Sequence, residues 1–408
     1  MRSAFPGVCT MPLSGVKVID LTTVLMGPYA TQLLGDFGAE VTKVEAAGGD
    51  SVRGIGPGRN TGMGAAFLAV NRNKRSISID LKQEGGRQLL LDLARHADVL
   101  VYNLRPHVMD KLGLTYEVFE AINPKLLYVG VYGYGRHGRY AKRPAYDDLI
   151  QAMTAIPSLY GQSTGSDPRY VPFPVVDRFV GLYAAMTISS ALYERTRSGR
   201  GQRIDVPMFE TMASVVLGDH IGGHAFVPPI GSPGYARQLS RSRRPYPTRD
   251  GYLAILPYND EQWRRFFRSV DKLELFENDP RFADIGARTR NIDALYDIVA
   301  DILTTRTTDE WLEVMAEADI PATPLYGLAD VFEDPHLQEV GFFREQEHPT
   351  EGRVLSMRVP SEWSRTPPVH DRPAPRLGAD FQDILTELGL SPERIEAITA
   401  AGVVKAGK

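Results

Sequence analysis

The sequence predicts an α/β fold: a largely parallel sheet covered by helices on both faces, with a smaller second domain. Three observations predict it. Apolar runs rich in β-branched residues alternate with helical segments through the first half of the chain. The turn Leu25-Met26-Gly27-Pro28 joins the first such run to a helix, as in nucleotide-handling folds. Beyond residue 221 the periodicity gives way to glycine, proline and arginine, and the 408 residues are enough for a second domain.

The elements follow in order. Val16–Leu21 reads as a strand, and Tyr29–Phe37 as a helix that Pro28 starts and Gly38 caps. Glu40–Glu45 and Ser76–Leu81 are strands, Gly85–His96 is a helix, and Val99–Asn103 is a strand. Helical segments within Asp110–Asn123 lead to a strand at Leu126–Val131. Asp147–Ala155 is helical, and Asp177–Thr196 is the longest clean helix, with Gly181, Ala184, Ala185 and Ala191 small enough for close packing. Gln202–Val206 is a strand and Phe209–Leu217 a helix. On this reading 1–221 is the first part of the large domain and 222–247 a linker. The small domain is 248–325, and 326–408 returns to the large one.

Composition excludes several function classes. The 46 basic and 50 acidic residues give a net charge of -4, which argues against a nucleic-acid partner. Cys9 is the only cysteine, so an internal disulfide and a cysteine-built metal site are excluded, and it reads as a bystander thiol. His220 and His224 are four apart across Gly222-Gly223 but lack a third ligand, and no metal is expected. The N-terminal ten residues are too weak for a signal peptide, and no window approaches eighteen uncharged apolar residues. A cytoplasmic protein without a membrane partner is expected.

The first turn lacks G-x-G-x-x-G, so neither NAD nor FAD is expected. Gly54-Ile55-Gly56-Pro57-Gly58 has no P-loop lysine and reads as a mobile loop. Asn71-Arg72-Asn73-Lys74-Arg75 stands before a strand, where its three positive charges offer either a phosphate clamp or a solvated basic turn. Glu45 ends a strand where a ribose-binding acid or a surface residue is equally suitable. Asn103 and Arg105 end a later strand, where parallel sheets open to their binding crevice. Asp147 and Asp148 form an acidic pair at a helix start. Asp177 stands at the N-cap of the longest helix, either as a plain cap or as a carboxylate kept ionised by helix amides. Such a group can attack an activated acyl carbon.

The chain resembles the family III CoA-transferases, also called the CaiB/BaiF family. The resemblance rests on Gly15–Asp20, Gly27-Pro28, Leu34–Val41 with Lys43-Val44-Glu45, Asn71–Ser76, Asp80-Leu81-Lys82, and Ala97-Asp98-Val99 with Asn103. Ser198–Val206 (SGRGQRIDV) and Pro375-Arg376-Leu377-Gly378 complete it, so it covers nearly the whole chain. It implies that Asp177 is the catalytic aspartate. It implies coenzyme A contacts at Val24, Leu25, Lys43, Asn73, Lys74, Arg75, Asn103, Arg105 and Tyr146. It also implies a Rossmann-like large domain made from both chain ends, an inserted small α+β domain, and a homodimer of interlocked rings.

The implied reaction moves coenzyme A from an acyl-CoA to a small carboxylic acid, through an aspartyl anhydride and an aspartyl-CoA thioester, with no metal. Succinyl-CoA and a small dicarboxylate are the expected pair. Two departures stand out. Leu25 occupies the position where some members carry glutamine, and the small domain has no glycine run, which leaves Gly231–Pro247 as the closing loop. The related 2-methylacyl-CoA racemases use a histidine directly before an aspartate; here the pair is Tyr146-Asp147. With a reference pKa of about 10, tyrosine is a poor base near neutrality. A non-catalytic CoA-binding dimer is the remaining alternative.

Overall fold

The computed structural model describes residues 11–369 and 372–405, so Cys9 lies outside the described residues. The alternating runs form six parallel strands: β1 (Lys17–Leu21), β2 (Glu40–Glu45), β3 (Lys74–Ile79), β4 (Val99–Tyr102), β5 (Leu127–Tyr132) and β6 (Gln202–Pro207). A seventh strand, Val404–Lys405, pairs antiparallel with β3, so both ends of the chain build the sheet. From that edge the order is Val404–Lys405, β3, β2, β1, β4, β5, β6. Strand order therefore reverses between β1 and β4, and such a switch point opens a crevice at the C-terminal strand ends. Every residue of β4 and β5 is buried, as expected of strands covered on both faces.

Three helices position the crevice: α1 (Met26–Asp36), α2 (Asp147–Met153) and α3 (Val175–Ser198). A Cβ on Gly27 would collide with the Thr22 side chain, which brings the start of α1 hard against the end of β1. A Cβ on Gly181 would lie 2.8 Å from the Met26 carbonyl oxygen, so α3 crosses α1 at its first turn. Asp177 precedes Gly181 by four residues, about one helical turn, and is thereby carried over the β1–α1 turn. Helix α3 is long and apolar enough to cross a membrane by length and composition alone. Its Val176, Val180, Ala184 and Ile188 are buried, the pattern of a core helix.

Strand β3 begins two residues earlier than the apolar pattern predicts, because the fully buried Lys74 is part of it. The glycine-rich loop, expected to be mobile, is tied to the turn of an unpredicted hairpin, Phe343–His348 with Gly352–Met357. Glu351 in that turn accepts the Asn60 N–H at 3.1 Å and the Asn60 amide at 3.1 Å, and its carbonyl accepts from Arg59.

The chain divides into two units. The first holds the described residues to Thr154, then Pro172–Ala213, then those from Gln338 onward; the second is Ala155–Val171 with Ser214–Leu337. Residues 222–247, read as a linker, are folded into the second unit, where helix Ala236–Leu239 packs on helix Ile156–Thr164. A high glycine and proline content marked irregular backbone there, and the contacts that hold it come from the helix some eighty positions earlier and from Asp293, Tyr296 and Asp297 some fifty-five positions later. The core of this unit is aromatic, with Trp263, Phe266, Phe267 and Phe282 in mutual contact. A capping box between Asn259 and Gln262 fixes the start of helix Asp260–Ser269.

Candidate active site

A cleft of about 250 Å³ opens at the C-terminal ends of β1, β4, β5 and β6, within the first unit. Residues 23–26 of the β1–α1 turn form one wall, and Asn103 and Arg105 follow β4 into it. Arg143 and Tyr146, just ahead of α2, form another, and Asp177 stands between. Six of the ten sequence-predicted site residues thus come together: Val24, Leu25, Asn103, Arg105 and Tyr146 join Asp177 in one cleft.

Asp177 is not the N-cap of α3. Pro174 holds that position, and Asp177 is the third residue of the helix. Its backbone N–H donates to Asp147 Oδ1 at 2.9 Å, while the other oxygen of Asp147 accepts from the Gln151 amide at 2.6 Å. A carboxylate from α2 therefore satisfies the amide, and the Asp177 side chain has no hydrogen-bond partner among the described residues. This removes the conflict between capping and attack, because the two tasks fall on different aspartates.

The same arrangement reverses the expected electrostatics. Burial first, then the charge of Asp147, push the Asp177 carboxyl up from its ordinary value to about 7; Arg178 opposes them and Asp148 adds a smaller push. Desolvation and a nearby like charge outweigh the helix amides that were expected to keep it ionised. Near neutral pH the group is poised between its acid and its base.

Beneath the β1–α1 turn lies a buried ionic network. Lys74 has no exposed side-chain surface, and all three of its donors are occupied: by Asp20 at 2.9 Å, the Pro28 carbonyl at 2.8 Å and Asn71 at 2.9 Å. Burial pushes Lys74 down to about 8 against the pull of Asp20. Burial would raise Asp20, but Lys74 and Lys43 hold it far below the carboxylate range. Lys43, also fully buried, donates to the Thr22 carbonyl at 2.8 Å and to Asp50 at 3.0 Å.

The residues of the expected phosphate clamp lie outside this cleft. Lys43 and Lys74 are enclosed, and their ammonium groups are engaged within the fold. Arg75 sits at the start of β3, the end of the sheet opposite Asp177, and pairs with Glu387 at 2.7 Å. Asn73 donates to Asp36 and to the Val369 carbonyl, and Arg72 pairs with Asp36. None of residues 71–75 lines the 250 Å³ cleft that holds Asp177. Glu45 is likewise enclosed, bound by Arg53 at 2.6 Å and by the Ser76 hydroxyl at 2.8 Å.

The network ends on the turn that faces Asp177. Asp50 Oδ1 accepts the Val24 N–H at 3.0 Å, and Asn103 brackets Thr23, accepting its N–H at 3.0 Å and donating to its carbonyl at 2.7 Å. Between these anchors Val24 has φ of 69°, a left-handed conformation that a β-branched residue adopts only at a cost of about 1–3 kcal/mol. The Leu25 side chain packs on the cluster of Val52, Met63, Phe67 and Ala374 and leaves an apolar surface at this point of the wall.

Sequence reasoning assigned Asp50 no role of its own, and it read Asp147 as one of an acidic pair at a helix start and as the partner of Tyr146. Neither residue's observed role has a one-dimensional signal, since Asp147 caps a helix thirty residues downstream. Arg143 lies over the Tyr140 ring at 4.3 Å and has no ion-pair partner among the described residues. Arg105 donates to the Lys142 carbonyl at 3.2 Å. Two cations and an unbonded carboxyl in one cleft suit an anionic substrate whose reacting carbon meets Asp177. Among the described residues no group of three His, Cys, Asp or Glu side chains has the arrangement to hold a metal ion.

Known proteins share this architecture. The model of CoA-transferase family III matches residues 13–381. The succinate–glutarate CoA-transferase of Agrobacterium fabrum is 34% identical over 389 residues, covering 92% of this chain and 96% of the relative. The human succinyl-CoA:glutarate CoA-transferase is 32% identical over 397 residues, 96% of this chain and 90% of its own. A solved CaiB/BaiF family protein from Brucella suis superposes with a TM-score of 0.77 at 34% identity, over 93% of this chain and 100% of that one. The chain belongs to the family III CoA-transferases, the CaiB/BaiF family.

Proposed function

We propose that this CoA-transferase moves coenzyme A from succinyl-CoA to a small dicarboxylate through covalent intermediates on Asp177. The observation that carries the proposal is the Asp177 carboxyl, without a side-chain hydrogen bond, in a cleft that also holds Arg105 and Arg143. Relatives named for succinate with glutarate, mesaconate, citramalate and malate support a dicarboxylate at each end.

The ionised Asp177 attacks the thioester carbonyl, forming a mixed anhydride and releasing the CoA thiolate. The thiolate attacks the Asp177 carbonyl, which frees the donor acid and leaves an aspartyl-CoA thioester. The acceptor carboxylate attacks that thioester, giving a second anhydride and the thiolate again. Attack of the thiolate on the acceptor's acyl carbon yields the new acyl-CoA and restores the carboxylate of Asp177. One thioester replaces another, so orientation and charge stabilisation provide the catalysis. Arg105 and Arg143 are the cations that would hold CoA phosphates or the distal carboxylate. In the racemase reading Tyr146 would stand where the histidine base belongs, and no observation favours it.

The protein is also proposed to be a cytoplasmic homodimer. The outward face of α3 exposes about half of Phe179, Leu182, Tyr183 and Met186, a surface suited to a second copy. The test of function is incubation with succinyl-CoA and glutarate, with hydroxylamine trapping and mass spectrometry of the modified peptide. Exchange with an adduct at Asp177 is expected. Full exchange by Asp177→Asn would remove Asp177 from the mechanism, and solvent deuterium entering a 2-methylacyl-CoA without an acceptor would establish the racemase.

A further inference from the structure

The 23–25 wall of the cleft that holds Asp177 is kept in an unfavourable conformation by groups outside the reaction itself. Val24 is one of five non-glycine residues with positive φ among the described residues, and the only one of them in the cleft. Unrestrained, a β-branched residue would leave this region for the extended one and carry Thr23 and Leu25 with it. Two side chains oppose that movement. Asn103, fixed at the end of β4, grips both polar groups of the Thr23 backbone. Asp50 takes the Val24 N–H on one oxygen and the buried Lys43 on the other, and Lys43 in turn grips the Thr22 carbonyl.

We infer that Asn103 and Asp50 are positioning residues for CoA transfer: together they hold Val24 in its left-handed conformation and so set the distance between the 23–25 wall and Asp177. The inference rests on the proposed reaction at Asp177. Neither residue contributes a reacting atom, and Asn103, expected as a coenzyme A contact, has its amide engaged by Thr23. A displacement of the wall by about 1 Å is enough to lower turnover on the order of a hundredfold.

The strain at Val24 makes the inference testable. Glycine adopts the left-handed region without penalty, so a V24G background needs the anchors less. The intact enzyme and the variants N103A, V24G and V24G/N103A are compared for kcat and KM with succinyl-CoA and glutarate, and for melting temperature. N103A is expected to lose ten- to a hundredfold in kcat, with KM for succinyl-CoA changed less than threefold. In the V24G background the same N103A change is expected to cost less than threefold in kcat. D50N, which keeps an acceptor for the Val24 N–H but weakens the hold of Lys43, is expected to fall between the parent and N103A. Equal losses from N103A in both backgrounds would overturn the inference. So would a lower melting temperature with unchanged kcat, which marks a purely structural residue, or a loss confined to KM, which marks a ligand contact. A parent enzyme that exchanges no coenzyme A fails the proposed reaction instead, and the two failures are distinct.

Discussion

Asp147 Oδ1 accepts the backbone N–H of Asp177 at 2.9 Å, so one buried carboxylate anchors the helix that carries the other. The contact has two opposed effects. It satisfies an open amide at the start of α3, which favours the fold. It also sets a negative charge beside the Asp177 carboxyl, which disfavours ionisation.

The expected pH dependence of the reaction follows from that opposition. Only ionised Asp177 attacks, and its pKa is raised to about 7, so kcat/KM should rise with pH through neutrality and level off above it. Asp147→Asn retains an oxygen for the Asp177 N–H and removes the charge. Its profile should keep its shape and shift to lower pH, with a higher rate than the parent near pH 6. A pH–rate comparison of the two enzymes checks this, and superimposable profiles would show that Asp147 does not set the titration.

Stability should respond in the opposite sense. Folding raises the Asp177 pKa above its ordinary value of 3.8, so the folded state binds the proton more tightly than the unfolded one. Stability from this group is therefore complete below about pH 4 and declines as pH rises through the folded pKa of about 7. Asp177→Asn removes the buried charge without changing the shape. It should stabilise the protein by on the order of 2 kcal/mol at pH 8 and have little effect at pH 4. Denaturant titrations of both proteins at the two pH values measure the difference.

The buried lysines give a third prediction. Lys74→Met leaves Asp20 enclosed without its closest counter-charge, and breaking a buried pair by removing one partner costs about 3–5 kcal/mol. A midpoint shift of that size in chemical unfolding is expected. Arg75→Ala, at the far end of the sheet, should leave the affinity for coenzyme A within about twofold, as read by calorimetry. A tenfold loss on Arg75→Ala would return the 71–75 segment to the binding site.

These lysines also mark where the sequence ceases to be legible. Strand–helix alternation, the Gly27-Pro28 turn and the length of α3 follow from local chemistry, and each appears in the structure close to its expected place. Asn103 and Arg105 were recognisable because parallel strands present their C-terminal ends to ligands, and Asp177 because it stands at the start of the longest helix. Lys74 was not, because a basic run before a strand reads the same whether its ammonium meets a phosphate or a buried aspartate. Its partners Asp20 and Asn71 come from different elements, and only the tertiary fold brings Asp20 to it. Arg75 differs: a residue at the start of a parallel strand stands at the end of the sheet away from the crevice, which the order of the pattern already implies.

The crossing of α1 and α3 gives the last prediction. Gly181 lets α3 approach the Met26 carbonyl, and a methyl there would lie 2.8 Å from that oxygen and 3.0 Å from the Tyr29 ring. Neither neighbour can yield easily, because Met26 is buried in the first turn of α1 and Tyr29 lies beneath the Arg178 guanidinium at 4.5 Å. Gly181→Ala should therefore cost about 1–3 kcal/mol by overpacking, partly offset by the better helix propensity of alanine. The consequence for catalysis is sharper than that for stability. Asp177 lies one turn before the contact on α3, and Leu25 lies one residue before Met26 on the opposite wall, so forcing the helices apart widens the cleft at its reacting centre. At a temperature where the variant remains folded, kcat should fall at least tenfold while Gly199→Ala, at the far end of α3, leaves it near the parent value. Equal kcat for Gly181→Ala and the parent would show that the helix crossing does not govern the separation of Asp177 from the turn.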